Sequence, residues 1–169
     1  MNAAGADAVT PVIRTIDLGK IYSAGTEAEV VALKGVDLSI AAGEFIAIMG
    51  PSGSGKSTLL NLIGGLDTPS HGQYLCNGVD VATLDAEALA VLRRDTIGFV
   101  FQGFNLLPRM SALDNVAMPL GYTGVPPQQR RERARAALES VGLGARVDHR
   151  PSELSGGQQQ RGAIARALA

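Results

Sequence analysis

The feature that most constrains this chain is the glycine-rich stretch GPSGSGKS at residues 50–57, which fits the pattern G-x-x-x-x-G-K-[ST]. An apolar run, EFIAIM, precedes it, and a helical pattern, STLLNLIGGL, begins at its last residue. Glycines let such a loop curl until several backbone N–H groups point at phosphate oxygens, and the following helix adds its partly positive N-terminus. The composition predicts about 0.005 accidental matches to this pattern. The loop therefore predicts a nucleoside triphosphate site.

The polar residues of this loop have expected roles. Lys56 is expected to reach the β- and γ-phosphates, and the hydroxyl of Ser57 is expected to bind Mg²⁺. The predicted nucleotide-binding residues of the loop are Gly50, Ser52, Gly53, Ser54, Gly55, Lys56, Ser57 and Thr58.

Composition excludes several other classes of protein. The 15 basic residues nearly balance the 16 acidic ones, and a formal net charge of -1 gives no general attraction to nucleic acid or anionic lipid. The chain has no Trp, and its single cysteine, Cys76, excludes an internal disulfide and a cysteine-rich zinc site. No stretch reaches the roughly 18 apolar residues of a membrane span, and no targeting signal is visible. We therefore expect a soluble chain with a loose tail at residues 1–10.

Apolar periodicity predicts a mixed α/β core with an inserted helical part. Alternating residues predict a half-buried strand at 36–40, and continuous apolar runs predict strands at 44–49 and 97–101 that are covered on both faces. A further strand is expected at Gln73–Cys76 and a helix near Asp85–Arg94.

Helical patterns dominate from Gln102 to Leu154. Helix starts are expected at Ser111 and at Pro127. A last helix is expected to run from Ser155 or Gly156 through Leu168.

A second glycine motif, LSGGQ, lies at residues 154–158, where this last helix begins. It combines a hydroxyl, two residues without side chains and the free N–H groups of a helix N-terminus, which together can receive an anion. The same letters also fit a plain serine N-cap with a glycine-rich entry turn. Alone the motif leaves both interpretations open, but the two motifs in this order are far more specific than either.

On these two motifs the sequence resembles the ATP-binding cassette (ABC) ATPases, from about Ile13 to Ala169. More closely, it looks like the LolD/MacB/FtsE-like group, which includes lipoprotein-release and macrolide-export ATPases and a cell-division ATPase. The stretches that carry this likeness are VVALKGVDLSIAAGEFIAIMGPSGSGKSTLLNLIGGLD, IGFVFQGFNLLPRMSALDNVAMPL and LSGGQQQRGAIARALA. The resemblance implies an α/β P-loop NTPase fold with an N-terminal antiparallel β-subdomain and an inserted α-helical subdomain. It also implies ATP and Mg²⁺ as cofactors.

The resemblance assigns roles to residues outside the loop. Tyr22 takes the aromatic position that stacks on adenine, although a packing tyrosine at a strand end fits the same pattern. Gln102 takes the Q-loop position, which approaches Mg²⁺ and the attacking water; from the residues alone it is a polar cap on a strand. The signature residues expected to contact ATP held by a second copy are Ser155, Gly156, Gly157 and Gln158.

The implied partners are a second ABC ATPase copy and a transmembrane permease domain or subunit. The two copies would form a head-to-tail dimer, peripheral to the cytoplasmic face of the inner membrane. No nucleic-acid partner is expected. The permease would contact residues 103–120, where apolar side chains fit either a docking surface or the core of the helical subdomain: Phe104, Leu106, Leu107 and Met110.

The resemblance also divides the chain into parts. The expected parts are a disordered tail at 1–10, a nucleotide-binding core at 11–101, the Q-loop and helical subdomain at 102–157, and the signature helix at 155–169. Family members continue into a Walker B strand that ends in Asp and Glu, and no such run is found in this chain. We therefore expect a truncated reading frame without the C-terminal strands of its parallel sheet, and no catalytic glutamate can be assigned. Poor hydrolysis and marginal stability or aggregation are expected of the isolated chain.

Three functions fit these residues. The first is the ATP-hydrolysing part of an ABC exporter or lipoprotein extractor. The second is a nucleotide-binding module that does not hydrolyse ATP. The third is a soluble ABC ATPase of DNA repair or translation, against which the balanced charge and the absence of a basic arm count.

Overall fold

The computed structural model describes residues 10–169, so the tail predicted at 1–10 lies outside the described residues except for Thr10. The chain divides into two units, one ending at Ala90 and the other comprising Val91–Ala169. The division falls within a helix, α2 (Ala86–Thr96).

A four-stranded antiparallel sheet organises the first unit, with its strands in the order β2–β1–β3–β4. The strands are β1 (Ile13–Tyr22), β2 (Val30–Ile40), β3 (His71–Cys76) and β4 (Val79–Asp80). In β1, Ile13 pairs with Ile40 on one side and with Cys76 on the other. The Asn77–Gly78 turn between β3 and β4 has φ values of 48° and 80°, as a tight hairpin requires. This sheet is the antiparallel β-subdomain expected from the sequence.

Helix α1 (Lys56–Ile63) packs against this sheet. Its apolar side buries Leu59 and Leu62, and the hydroxyl of buried Tyr74 on β3 donates to the carbonyl of Ile63 at 2.7 Å. The helix ends before Gly64, the first of two adjacent glycines, a residue type that commonly terminates helices. These contacts fix the position of α1, whose first residue closes the glycine-rich loop.

The second unit is helical. After the end of α2 it contains α3 (Ala112–Ala117), α4 (Pro127–Ser140) and α5 (Gly156–Leu168), joined by short 3-10 turns. The three helices bury a common core that includes Leu113, Val116, Leu138, Leu143 and Ala165. Their starts agree with the sequence: the Ser111 hydroxyl caps α3, and Pro127 occupies the first turn of α4. None of the helices within residues 10–169 is long and apolar enough to cross a membrane.

A buried amide organises the loop before α3. Asn115 is 0% exposed, and its Oδ1 accepts from the amide of Leu107 at 2.6 Å. Its Nδ2 donates to the carbonyls of Leu107, Met110 and Ser111 at 3.1, 3.2 and 2.9 Å. Because the amide nitrogen carries two N–H bonds, at least one of them is shared between carbonyls. One side chain thus contacts four backbone groups and holds residues 107–111 in one conformation.

Two predicted strands are wrong: residues 44–49 and 97–101 form no strand in the described part of the chain. A strand exists through hydrogen bonds to a neighbouring strand, and neither run joins the β2–β1–β3–β4 sheet. Phe45 is 96% exposed and Met49 is 88% exposed. An apolar run indicates that a segment favours burial, but a local pattern does not supply the neighbour that would bury it. The strand at 73–76 and the helix near 85–94 are confirmed as parts of β3 and α2.

Candidate nucleotide-binding site

The glycine-rich loop of the first unit has a backbone that favours glycine near its end. Gly53 and Gly55 have φ values of 79° and 86°, in the left-handed region. A Cβ atom built on Gly55 would lie 2.6 Å from the carbonyl oxygen of Ala32 on β2. Because the loop presses so closely on the sheet, its curl is fixed by tertiary contact as well as by its own glycines.

Lys56 lies folded into this loop. Its Nζ donates to the carbonyls of Gly50 and Pro51 at 2.8 and 2.5 Å, and it lies 3.3 Å from Ser54 Oγ. The ammonium is therefore placed at the mouth of the loop and not out in solvent.

The N-terminus of α1 adds positive potential at the same place. Gly55 caps the helix without a side-chain hydrogen bond, and the first turn contains no acidic residue. The first N–H groups of the helix therefore have no side-chain acceptor from the cap, and the partial positive charge of the helix end is not offset by a first-turn carboxylate. Ser52, Gly53, Ser54 and Ser57 are exposed, and Thr58 is half-buried on the first turn. The loop, the ammonium and the helix end together form a site for an anion such as a phosphate chain.

Tyr22, at the end of β1, belongs to a polar cluster in the same unit. Its hydroxyl donates to Asp67 Oδ2 at 2.9 Å, and Lys20 Nζ lies 2.5 Å from Asp67 Oδ1. Lys20 Nζ also lies 5.0 Å from the centre of the Tyr22 ring and donates to the carbonyl of Thr68 at 2.7 Å. The Tyr22 side chain is thus held at both its ring and its hydroxyl.

Lys20 and Asp67 belong to no motif that the sequence predicts. Lys20 had a detectable signal, because residues i and i+2 of a strand point to the same face and Lys20 precedes Tyr22 by two positions. Asp67 had none, because it lies 47 residues from Lys20 in the chain and meets it only in the folded structure.

Hydrogen bonding shifts the ionisation of this cluster. Partial burial tends to raise the pKa of Asp67, but the hydrogen bonds from Lys20, Tyr22 and the Thr68 amide outweigh burial and lower it. The hydrogen bond to Asp67 raises the pKa of Tyr22, with burial acting in the same direction, while an interaction with the Thr58 side chain opposes the rise. The cluster therefore holds Asp67 as a carboxylate and Tyr22 as a neutral phenol.

We expect the contribution of Asp67 to stability to disappear in acid. Because its pKa is lower in the folded chain, this contribution is fully present well above the ordinary value of 3.8 and is lost as the pH falls through the folded-state pKa. The difference in unfolding free energy between the wild type and Asp67→Asn should be constant between about pH 5 and 7 and shrink below about pH 4. Urea denaturation at several pH values measures it, with the exposed Asp148→Asn as a control. A difference that stays unchanged to about pH 2.5 would contradict the assignment.

The second glycine motif begins α5 in the second unit. Ser155 caps the helix, with its Oγ accepting from the amide of Gln158 at 3.4 Å, and Gln158 Oε1 accepts from the amide of Ser155 at 2.8 Å. This reciprocal capping box confirms the N-cap interpretation of the motif without excluding a further role.

Gly156 and Gly157 follow this cap. Unlike Gly53 and Gly55 of the loop, neither has a left-handed backbone, and unlike Gly55 neither has a close steric contact. Both are exposed. Apart from the chain neighbours and the backbone of α5 itself, no atom of the described residues lies within 4 Å of a Cβ built on either. Glycine costs a helix about 1 kcal/mol relative to alanine. The described part of the chain gives no steric reason for two glycines at this place.

Gln102 is exposed, and the loop after it is tied to α5. Phe104 and Asn105 have positive φ values of 60° and 47°, and their carbonyls accept from Arg166 of α5 at 2.8 and 2.6 Å. Burial lowers the pKa of the Arg166 guanidinium. No sequence pattern predicts these two hydrogen bonds, whose partners are separated by 61 and 62 positions in the chain.

The apolar residues between 103 and 111 do not belong to the buried core of the second unit. Leu107 is 41% exposed, whereas Phe104, Leu106 and Met110 are half-buried. Leu107 is therefore open to solvent, and the other three side chains are partly covered without belonging to that core.

The predicted site residues are thus distributed over both units. Tyr22 and the loop at 50–58 lie in the first, and Gln102 and the motif at 155–158 lie in the second. The sheet, the phosphate-binding loop and the capped second motif define a P-loop nucleotide-binding protein.

Comparison with known proteins identifies the family. The family model for ABC transporters matches residues 33–169, and the chain therefore belongs to the ABC transporter family. It is 58% identical over 158 residues to the macrolide export ATP-binding/permease protein MacB of Brucella melitensis, a match that covers 94% of this chain and 24% of the relative. It is also 54% identical over 158 residues to an uncharacterized ABC transporter ATP-binding protein of Thermotoga maritima, covering 94% of this chain and 67% of that protein.

A solved structure agrees with this assignment. A dimeric ATP-binding cassette in a post-hydrolysis state, bound to ADP and Pi, matches this chain with a TM-score of 0.86 and 48% sequence identity. The match covers 93% of this chain and 69% of the cassette. The chain has the ABC ATPase fold, and it spans about a quarter of the length of its MacB relative, 24%.

Proposed function

We propose that this chain is the ATP-binding part of an export-type ABC transporter, with its nucleotide site built on the loop at 50–58. Lys56 would exchange the carbonyls of Gly50 and Pro51 for oxygens of the β- and γ-phosphates. The N–H groups of the loop and of the first turn of α1 would donate to the same phosphates. The placement of the Lys56 ammonium at the mouth of the loop supports this role.

Three further residues are proposed to bind the nucleotide or its metal ion. The hydroxyl of Ser57, exposed on the first turn of α1, and the amide of Gln102 would be ligands of Mg²⁺. The metal, when bound, would offset the charge of the β- and γ-phosphates. The ring of Tyr22, which is 38% exposed, would stack on the adenine base.

We further propose that the second motif acts on ATP held by another copy of the chain. The observation that carries this proposal is the open, exposed start of α5, where two glycines are present although nothing in the described residues requires them. Two residues without side chains let a phosphate approach the N–H groups of a helix end closely. The dimeric state of the matching cassette supports the same arrangement.

The proposed membrane partner is a permease that would contact residues 103–120 from the cytoplasmic side. The MacB relative is described as a combined ATP-binding/permease protein, which supports a permease partner for this chain. Exposed Leu107 offers an apolar contact, and Asn115 fixes the loop that carries it. The tie from Arg166 to residues 104 and 105 would connect this loop to the signature helix. Export is the proposed direction of transport, in line with the word "export" in the name of the MacB relative.

ATP-dependent association of two copies tests this proposal. With ATP and Mg²⁺, analytical ultracentrifugation should show the wild-type chain moving from monomer to dimer. Gly157→Asp should bind ATP but stay monomeric, because its carboxylate would repel the γ-phosphate of the other copy. A carboxylate near a helix N-terminus favours the helix itself, so loss of folding is not expected.

The matched control adds the same charge to the first turn of a different helix. Gln129→Asp, at an exposed position of α4, should dimerise as the wild type does. If Gly157→Asp dimerises equally well, the proposed contact in trans is wrong, while ATP binding to the loop is tested separately by calorimetry.

A further inference from the structure

We propose that Lys20 and Asp67 are positioning residues that fix the ring of Tyr22 as a one-sided platform for the nucleobase. This inference rests on the proposed nucleotide site, and it adds two residues whose effect is exerted through Tyr22. Lys20 would cover one face of the ring, so that the base stacks on the opposite face.

The geometry begins with the strand. Lys20 and Tyr22 are two positions apart near the end of β1, so their side chains leave the same face of the sheet. The ammonium lies 5.0 Å from the ring centre, within the range of a cation–π contact. The Lys20 side chain is 12% exposed, and a desolvated cation interacts more strongly with a ring than a hydrated one.

Asp67 holds both members of this pair. One carboxylate oxygen accepts from Lys20 at 2.5 Å, and the other accepts from the Tyr22 hydroxyl at 2.9 Å. The Thr68 amide donates to the first oxygen at 2.8 Å, which fixes the carboxylate to its own backbone. The ring is therefore held by its hydroxyl and by one face, although the residue is 38% exposed.

The cluster is linked electrostatically to the element that would bind phosphate. The Thr58 side chain, on the first turn of α1, tends to lower the pKa of Tyr22 through a side-chain hydrogen bond. Since α1 begins at Lys56, the ring that would hold the base lies near the residues that would hold the phosphates. A ring fixed in advance does not lose side-chain entropy when a ligand orders it, and this strengthens binding.

A purely structural role is the alternative. Lys20 and Ser70 join β1 to the segment before β3, through the carbonyl of Thr68 and through Ile21, and this join could be the whole purpose of the cluster. If the role is purely structural, variants of these residues should weaken the binding of every ligand of the site equally. If the residues position the ring, the same variants should weaken the binding only of ligands that carry a base.

The test compares ATP with inorganic triphosphate, both with Mg²⁺, by isothermal titration calorimetry of the 169-residue chain. The variants are Lys20→Met, Asp67→Ala and Tyr22→Phe. Tyr22→Phe keeps the ring but removes the hydroxyl that donates to Asp67. Glu87→Ala, which removes an exposed carboxylate on α2, is the control. Circular dichroism of each variant confirms folding before titration.

We expect Lys20→Met and Asp67→Ala to weaken ATP binding about fivefold to twentyfold, part of the contribution of stacking one base on an aromatic ring. Tyr22→Phe should have a smaller effect of the same kind, and triphosphate binding should change less than about twofold in all three. A change in charge alone would not produce this difference between ATP and triphosphate. Removing the Asp67 carboxylate would strengthen the binding of both anions, and removing the Lys20 ammonium would weaken both of them.

Equal losses for both ligands, or ATP affinities equal to the wild type, would overturn the inference. A wild-type chain that binds neither ligand would instead refute the proposed nucleotide site, and the inference with it. A wild-type chain that binds ATP no more tightly than triphosphate would leave the phosphate site standing and refute the role of Tyr22.

Discussion

Replacing Lys56 with alanine is expected to weaken ATP binding by at least about 100-fold. The ammonium lies at the mouth of the loop, held by two carbonyls at 2.8 and 2.5 Å, where it can turn to two phosphates at once. Each charge-assisted hydrogen bond to phosphate is worth about 1.5–3 kcal/mol, so the loss of two accounts for this factor. Calorimetric titration with ATP and Mg²⁺ measures it.

The control for this variant is Lys34→Ala, which removes the same charge from an exposed position on β2. Its ATP affinity should remain within about threefold of the wild type, because the charge of an exposed side chain is screened by salt. Thermal unfolding distinguishes loss of binding from loss of fold. A folded Lys56→Ala chain with wild-type affinity would exclude the loop at 50–57 as the ATP site.

The second large effect concerns stability. Asn115→Ala is expected to lower the free energy of unfolding by at least about 3 kcal/mol, because it removes hydrogen bonds from partly buried backbone groups of Leu107 and Met110 and opens a cavity. The side chain is 0% exposed and makes four hydrogen bonds to the backbone between residues 107 and 111. Urea denaturation followed by circular dichroism measures the change.

Two further variants test whether the lost hydrogen bonds cause this destabilisation. Asn115→Asp keeps the oxygen that accepts from Leu107 but loses the donor that serves three carbonyls, so it should be destabilised as strongly as the alanine variant. Gln129→Ala, at an exposed position of α4, should change stability by less than about 0.5 kcal/mol. If Asn115→Ala is as stable as that control, the buried amide does not hold the loop.

The Asn115 network bears on function as well as on stability. It fixes the segment that follows Gln102 and carries exposed Leu107, where we propose that the permease binds. The carbonyls of residues 104 and 105, in the same segment, are bound by Arg166 of α5. A movement of the signature helix would therefore act directly on the proposed permease contact.

The sequence by itself determined the features that depend on a few neighbouring residues. The glycine-rich loop, the end of α1 at Gly64, the Ser111 cap and the start of α5 all follow from side-chain chemistry within about one helical turn. Such features form from the backbone preferences of adjacent residues. They could be located from the amino-acid sequence alone. The family resemblance followed from two of them, the glycine-rich loop and the motif at the start of α5.

The tertiary structure alone decided which distant residues meet. Asp67 reaches Lys20 across 47 positions, and Arg166 reaches Phe104 across 62, with no local pattern that announces either contact. The same reason explains the two wrong strands at 44–49 and 97–101, since an apolar run shows that a segment favours burial but not which neighbour buries it. Pairing and burial are properties of the whole fold, because the groups that satisfy them come from remote parts of the chain.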